Sequence, residues 1–214
     1  MSRRTVRLLL ATVVALAVIA AVVAGVALLD GGTGAAKGDN PVLRSSQRKA
    51  PPVPSSTTAP AQALPQPEDS PADPNADVPI TQIGEMEIPK IGLVHPVFEG
   101  VWLTVIDHGP GHWPGSAEPG GYGNTVFAGH RVSHTHPFRR INELVPGDDI
   151  IVRTDKGVFT YKMTSSEVVN PKTGISIVDQ HPGHTITLFA CHPPGSAQYR
   201  YVVHGDLVSS QPPA

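Results

Sequence analysis

The chain has 214 residues, 40% of them hydrophobic and 16% charged, with a formal net charge of −2. That balance excludes a basic polyanion-binding surface, so no nucleic-acid partner is expected. Its single cysteine excludes an intrachain disulfide and any multi-cysteine zinc or iron–sulfur centre.

The basic N-terminus (residues 1–7) carries Arg3, Arg4 and Arg7, and an uncharged apolar run from Leu8 to Leu29 follows it. At helical rise that run extends about 33 Å, enough to cross a hydrocarbon core. Small residues at Val22–Ala27 offer a cleavage site, but the run exceeds the usual signal-peptide length, so residues 8–29 read as an uncleaved single-pass anchor. The flanking arginines keep the N-terminus in the cytoplasm and place the rest of the chain outside the cell membrane.

Residues 30–80 read as a disordered tether. They contain Ala50-Pro51-Pro52-Val53-Pro54 and lack any aromatic residue. Such a segment buries too little apolar area to offset its ordering entropy, and its prolines favour extended conformations. The two Trp, four Tyr, five Phe and ten His residues all lie after residue 80. The folded domain is therefore expected over residues 81–214, a usual single-domain size.

Within it, β-branched and alternating runs predict strands at Met86–Ile91, Thr125–Ala128, Asp149–Thr154, Val158–Met163, Thr185–Ala190 and Tyr199–Val203. Turn signals separate them, including Gly120-Gly121, Pro146-Gly147-Asp148 and Asp155-Lys156-Gly157. Phe138, Ile141 and Leu144 are spaced for one face of a helix over Phe138–Leu144. Many short strands at this spacing predict a mostly β fold, a closed or nearly closed barrel, with a sandwich as the alternative.

Three residues stand out as chemistry. Cys191 ends the strand Thr185–Ala190 and is followed by the strand-stopping His192-Pro193-Pro194-Gly195. A strand end is a common place for a catalytic side chain, and an idle thiol is less expected outside the cytoplasm. His130 ends another short strand, after Gly129, which permits close backbone approach. Arg200 lies near the start of the strand after Cys191, where antiparallel pairing sets the two side by side and a guanidinium could hold an oxyanion. His130, His134 and His136 also form an H-x3-H-x-H cluster. With Pro137 breaking any helix and no acidic residue in the stretch, we assign no metal site there, and no cofactor elsewhere.

Together these stretches resemble the sortases, the cysteine transpeptidases that attach proteins to Gram-positive cell walls. The likeness runs from about Ile83 to Leu207. It is carried by Ile88-Pro89-Lys90-Ile91-Gly92, by Gly109-Pro110-Gly111-His112-Trp113-Pro114-Gly115, by Gly123–Arg131, by Leu144–Asp148, and by Thr187–Pro193 with Arg200–Val203. The order His, Cys, Arg is the sortase order, and the GPGHWPG segment with Cys-His-Pro looks most like class E. The resemblance implies a closed barrel of about eight strands. It implies Cys191 as nucleophile, His130 as acid and base, and Arg200 as oxyanion or substrate ligand. The implied substrate is an LPXTG-like signal, LAXTG for class E, cut between Thr and Gly. Partners would be secreted proteins bearing that signal and an amine on a peptidoglycan precursor or pilin. Trp113 is expected to line the peptide groove. Ala190 stands where the family's T-L-x-T-C strand has a threonine, which is associated with shaping the oxyanion environment.

Other readings differ in order or motif. Papain-like and NlpC/P60 peptidases place Cys before His, and L,D-transpeptidases carry an S-x-G-C type motif absent at Phe189-Ala190-Cys191. A non-enzymatic wall-binding β-domain would need neither Cys191 nor Arg200.

Overall fold

A computed structural model of the chain describes residues 62–173 and 175–213. The basic N-terminus, the predicted anchor at 8–29 and most of the tether lie outside the described residues. No helix among the described residues is long and apolar enough to cross a membrane.

Eight strands form: β1 (Gln82–Ile88), β2 (Leu93–Glu99), β3 (Gly111–His112), β4 (Gly123–Ala128), β5 (Asp149–Thr154), β6 (Gly157–Val169), β7 (His184–His192) and β8 (Tyr199–Gln211). They close into a barrel in the order β1-β2-β3-β4-β7-β8-β6-β5. The β2–β3 and β4–β7 pairs are parallel, and the other neighbours are antiparallel. Side chains alternate across each strand. Ile186, Leu188 and Ala190 of β7, with Val203 of β8, Phe127 of β4 and Met86 of β1, therefore point inward and fill one core. On the outer side of the same strands, Val126, Phe189 and Val202 join a second apolar cluster that includes Trp113, Ile177 and Val178. A barrel strand normally shows water its outer face. Here β4 is buried along its whole length, so something covers that face.

Strands β6 and β8 run well past their expected ends, β3 was not expected, and three further elements differ for local reasons. The run Met86–Ile91 is a strand only to Ile88, after which Pro89–Ile91 forms a 3₁₀ turn. Phe138–Leu144 is not an α-helix. Only Ile141–Glu143 is helical, as a 3₁₀ turn, although Phe138, Ile141 and Leu144 are all buried. A strict three-residue spacing suits three residues per turn better than 3.6. Strand β2 carries no clean alternation because His95 and Pro96 interrupt it. The proline is accommodated because β3 pairs with β2 only at Phe98 and Glu99.

Residues 62–80 fall in the stretch read as tether, yet part of this segment lies along the barrel. Glu68 N donates to Pro114 O at 2.9 Å and the Trp113 indole N–H donates to Glu68 O at 2.8 Å. Further on, Leu103 N donates to Pro74 O at 2.7 Å and Thr104 Oγ1 to Ala76 O at 2.9 Å. Three of these four bonds use carbonyls of the segment, which proline-rich chain always offers, so little apolar burial is required. Of these, the bond to Pro74 O satisfies one first-turn N–H of the one α-helix among the described residues, α1 (Leu103–Ile106).

His112 locks the neighbouring loop. It is 2% exposed, and its Nδ1 lies 2.9 Å from Glu99 Oε2 while Nε2 lies 3.0 Å from Ala117 O. Ser116 Oγ donates to Trp113 O, so its lone pairs also face Nε2. Both ring nitrogens thus meet acceptors, which suits the imidazolium. Burial alone opposes the charge, but the hydrogen bond and charge of Glu99, with Ala117 O, raise the His112 pKa above its ordinary 6.5. The sign follows: this contribution is fully present below pH 6.5 and is lost as pH rises through the higher folded-state pKa. Thermal denaturation across that window should show falling stability with rising pH, and Glu99→Gln should flatten the slope. An unchanged slope in Glu99→Gln would remove His112 as its source.

Candidate active site

The parallel β4–β7 ladder sets Ala128 opposite Phe189. Two residues beyond each partner come His130 and Cys191, so both leave the barrel at the same end. The antiparallel β7–β8 ladder sets Cys191 directly opposite Arg200. Cross-strand partners share a face, and Cys191 has the parity of Phe189 while Arg200 has that of Val202, so both face outward. His130, Cys191 and Arg200 line one cavity of about 270 Å³. A neighbouring cavity of about 480 Å³ shares Trp113, Phe189, Arg200 and Ser70 with it. The two form a groove over the outer apolar cluster. Ser70, Pro71 and Pro74 from the upstream segment form part of its wall beside Cys191.

The far wall is fixed by Asn124 on β4. Its side-chain amide donates to Ile177 O at 3.2 Å and Asp179 O at 3.3 Å, and its Oδ1 accepts from Thr187 Oγ1 at 2.9 Å. These bonds hold Ile177 and Val178 against Trp113 and Phe189, whose rings meet at 6.1 Å. Trp113 lines both cavities and packs against the outer cluster, with its N–H committed to Glu68 O.

His130 is held by a residue that the sequence did not suggest. Its Nε2 lies 2.7 Å from Oδ1 of Asp107, the C-cap of α1, and the ring is only 15% exposed. Arg200 is anchored at one corner: Nη1 donates to Ala197 O at 2.9 Å and Tyr199 O at 3.1 Å. Among the described residues Nε and Nη2 have no protein acceptor and remain for a ligand carbonyl or oxyanion.

This chain matches the sortase domain family over residues 86–208, more than half its length. The chain belongs to the sortase family. It is 38% identical over 145 residues to sortase SrtE1 of Streptomyces coelicolor and 33% identical over 129 residues to sortase D of Bacillus subtilis. Those matches cover 59% of this chain in each case, but only 40% and 64% of the relatives' own lengths. Among solved structures, sortase E1 from Streptomyces coelicolor with a tripeptide in its active site aligns at a TM-score of 0.58 and 35% identity, over 62% of this chain and 91% of that one. A Clostridium perfringens sortase D5 transpeptidase aligns at 0.55 and 32%, over 60% and 79%.

Two features of this sortase went unread in its sequence. Arg131 is a guanidinium 3% exposed, threaded beneath the cysteine loop. It donates to Cys191 O at 3.4 Å, to His192 Nδ1 at 2.9 Å and to Asn142 Oδ1 at 2.6 Å, and sits 5.5 Å from the centre of the Tyr201 ring. Arginine cannot accept, so His192 Nδ1 carries no proton in this contact. Burial lowers the Arg131 pKa from its ordinary value, an effect opposed by Tyr201 and Cys191. The sequence hint was only that Arg131 follows His130. Asp107 had no hint, since its partner lies 23 residues away. Ala190, the residue in place of the family threonine, is 2% exposed and packs into the inner core while also bordering the cavity.

Gly129 lets this arrangement close. An added Cβ would stand 2.6 Å from the ring of Phe138, which is fully buried. Gly129→Ala should cost about 1–3 kcal/mol by overpacking, and shift His130 enough to slow turnover at temperatures where the protein stays folded. Denaturant titration and peptide-cleavage rates check both. Asp107→Asn should lower kcat roughly 10- to 100-fold with little change in KM, because it releases the orientation of His130 without touching the groove. A raised KM at constant kcat would contradict that role.

Proposed function

We propose that this sortase is a membrane-anchored cysteine transpeptidase that cleaves an LPXTG-like sorting signal, of LAXTG form, between Thr and Gly. One observation carries the reading: Cys191 and Arg200 face each other across β7 and β8 in a groove that His130 also enters.

The Cys191 thiolate attacks the threonine carbonyl, favoured by the positive charge of Arg200 and of protonated His130. Nε and Nη2 of Arg200 stabilise the tetrahedral oxyanion or hold the adjacent substrate carbonyl. His130 gives its proton to the departing glycine amine as the C–N bond breaks, which leaves a thioester on Cys191. The acceptor amine then attacks the thioester and passes a proton back to His130. The thiolate leaves and an amide joins the client protein to a peptidoglycan precursor or a pilin lysine. The apolar floor of Val126, Phe189 and Val202 suits the uncharged side chains of such a signal.

The anchor at 8–29 and the arginines before it support a single-pass placement with the N-terminus cytoplasmic and the barrel outside. Clients would then be met as they leave the secretion machinery, close to lipid-linked wall precursors.

On a fluorogenic sorting peptide, Cys191→Ala should abolish cleavage and His130→Ala nearly so. Arg200→Ala should lose about 10²-fold or more, the scale of an oxyanion donor. Full activity in Cys191→Ala would sink the transpeptidase reading. Full activity in Arg200→Ala would move the oxyanion role to backbone amides.

A further inference from the structure

The H-x3-H-x-H cluster seemed unfit for a metal because its own stretch lacks a carboxylate. The fold supplies one from α1. Asp107 Oδ1 lies 2.7 Å from His130 Nε2 and 3.0 Å from His134 Nδ1. All three ligand atoms lie within 4.8 Å of one another, and the two imidazoles stack with centroids 5.1 Å apart. His136 points elsewhere, its Nδ1 bonded to the His134 carbonyl at 3.0 Å. His134 holds its place from a left-handed backbone, φ 50°, which a non-glycine residue adopts at some cost.

We propose that Asp107, His130 and His134 bind zinc, and that zinc bound there reversibly shuts the active site. Two imidazoles and one carboxylate are a recognised zinc donor set. Tetrahedral zinc with bonds near 2.0–2.1 Å needs donor atoms about 3.3 Å apart, so each imidazole nitrogen must draw back from Asp107 Oδ1 by only roughly half an ångström. Binding displaces the protons on His130 Nε2 and His134 Nδ1 into solvent, and the carboxylate exchanges two N–H donors for one cation. The consequence for chemistry is direct. A zinc-bound His130 keeps one N–H and cannot take the second proton that a leaving amine requires. The nucleophile is untouched, so removal of the metal restores the enzyme. The ligand shell is half open: His134 is 53% exposed and Asp107 32%, which gives the ion a path in from solvent.

The binding itself stands on geometry alone, whereas the inhibition rests on the transpeptidase reading. Zinc binding to the full chain can be measured by competition with a chromophoric chelator. His134→Ala should weaken the affinity at least tenfold, whereas His136→Ala should leave it unchanged. Equal affinity in wild type and His134→Ala, or no competition at micromolar zinc, overturns the site. In the peptide-cleavage assay, micromolar zinc should inhibit the wild type and chelator should reverse it. His134→Ala should keep its basal rate and resist zinc. Inhibition undiminished in His134→Ala would place the effect at Cys191 and overturn the proposed switch. A protein that binds zinc through His134 but cleaves no sorting peptide at all would refute the transpeptidase reading and leave the metal site standing.

Discussion

The parallel hydrogen-bonded ladder between β4 and β7 is the constraint on which the site depends. An antiparallel pairing would send the two strand ends to opposite rims of the barrel. Parallel pairing sends them the same way, so the residues that follow Ala128 and Phe189 arrive together. Strand β8 then returns antiparallel beside β7 and delivers Arg200 opposite Cys191. Three strand ends, that of β4 far in sequence from those of β7 and β8, thereby meet at one rim, with β7 at the centre.

Alternation along these strands divides the labour between two faces. Even-numbered residues of β7, Ile186 through Ala190, belong to the inner core, and odd-numbered Phe189 belongs to the outer cluster that floors the groove. Because the side-chain period is two, a one-residue slip of β7 would exchange these sets and turn Cys191 inward. Register is guarded from both sides. Asn124 and Thr187 tie β7 to β4 outside, and Arg131 grips the Cys191 carbonyl and His192 at the strand's end. The buried guanidinium is costly to desolvate, but it is met by carbonyl, amide and imidazole acceptors and by the Tyr201 ring.

What could be read in advance was whatever leaves a local trace. The β-branched runs at Asp149–Thr154 and Thr185–Ala190 became strands β5 and β7, because a half-buried pleated surface selects such residues wherever it occurs. Strand β2 was hidden by His95 and Pro96, whose propensities oppose extended pairing and were overruled by neighbours on β1. The periodicity at Phe138, Ile141 and Leu144 identified buried positions correctly but not the winding, since a spacing of three fits more than one helix. His130, Cys191 and Arg200 were singled out from strand ends and resemblance, and the fold brings them to one cavity. Asp107 and Arg131 were not, for their meaning lies in partners that only closure of the barrel brings within reach. The upstream segment was misjudged for a related reason: composition reports apolar burial, and this segment is held by its carbonyls.

The parallel ladder also has a temporal side. Arg131 and Cys191 are sixty residues apart in sequence. The loop-closure entropy of pairing across such a separation exceeds that of closing the local hairpins β5–β6 and β1–β2. Until β7 docks between β4 and β8, Cys191 has neither His130 nor Arg200 beside it. A partly folded chain thus lacks the assembled trio, which exists only in a molecule whose barrel has closed.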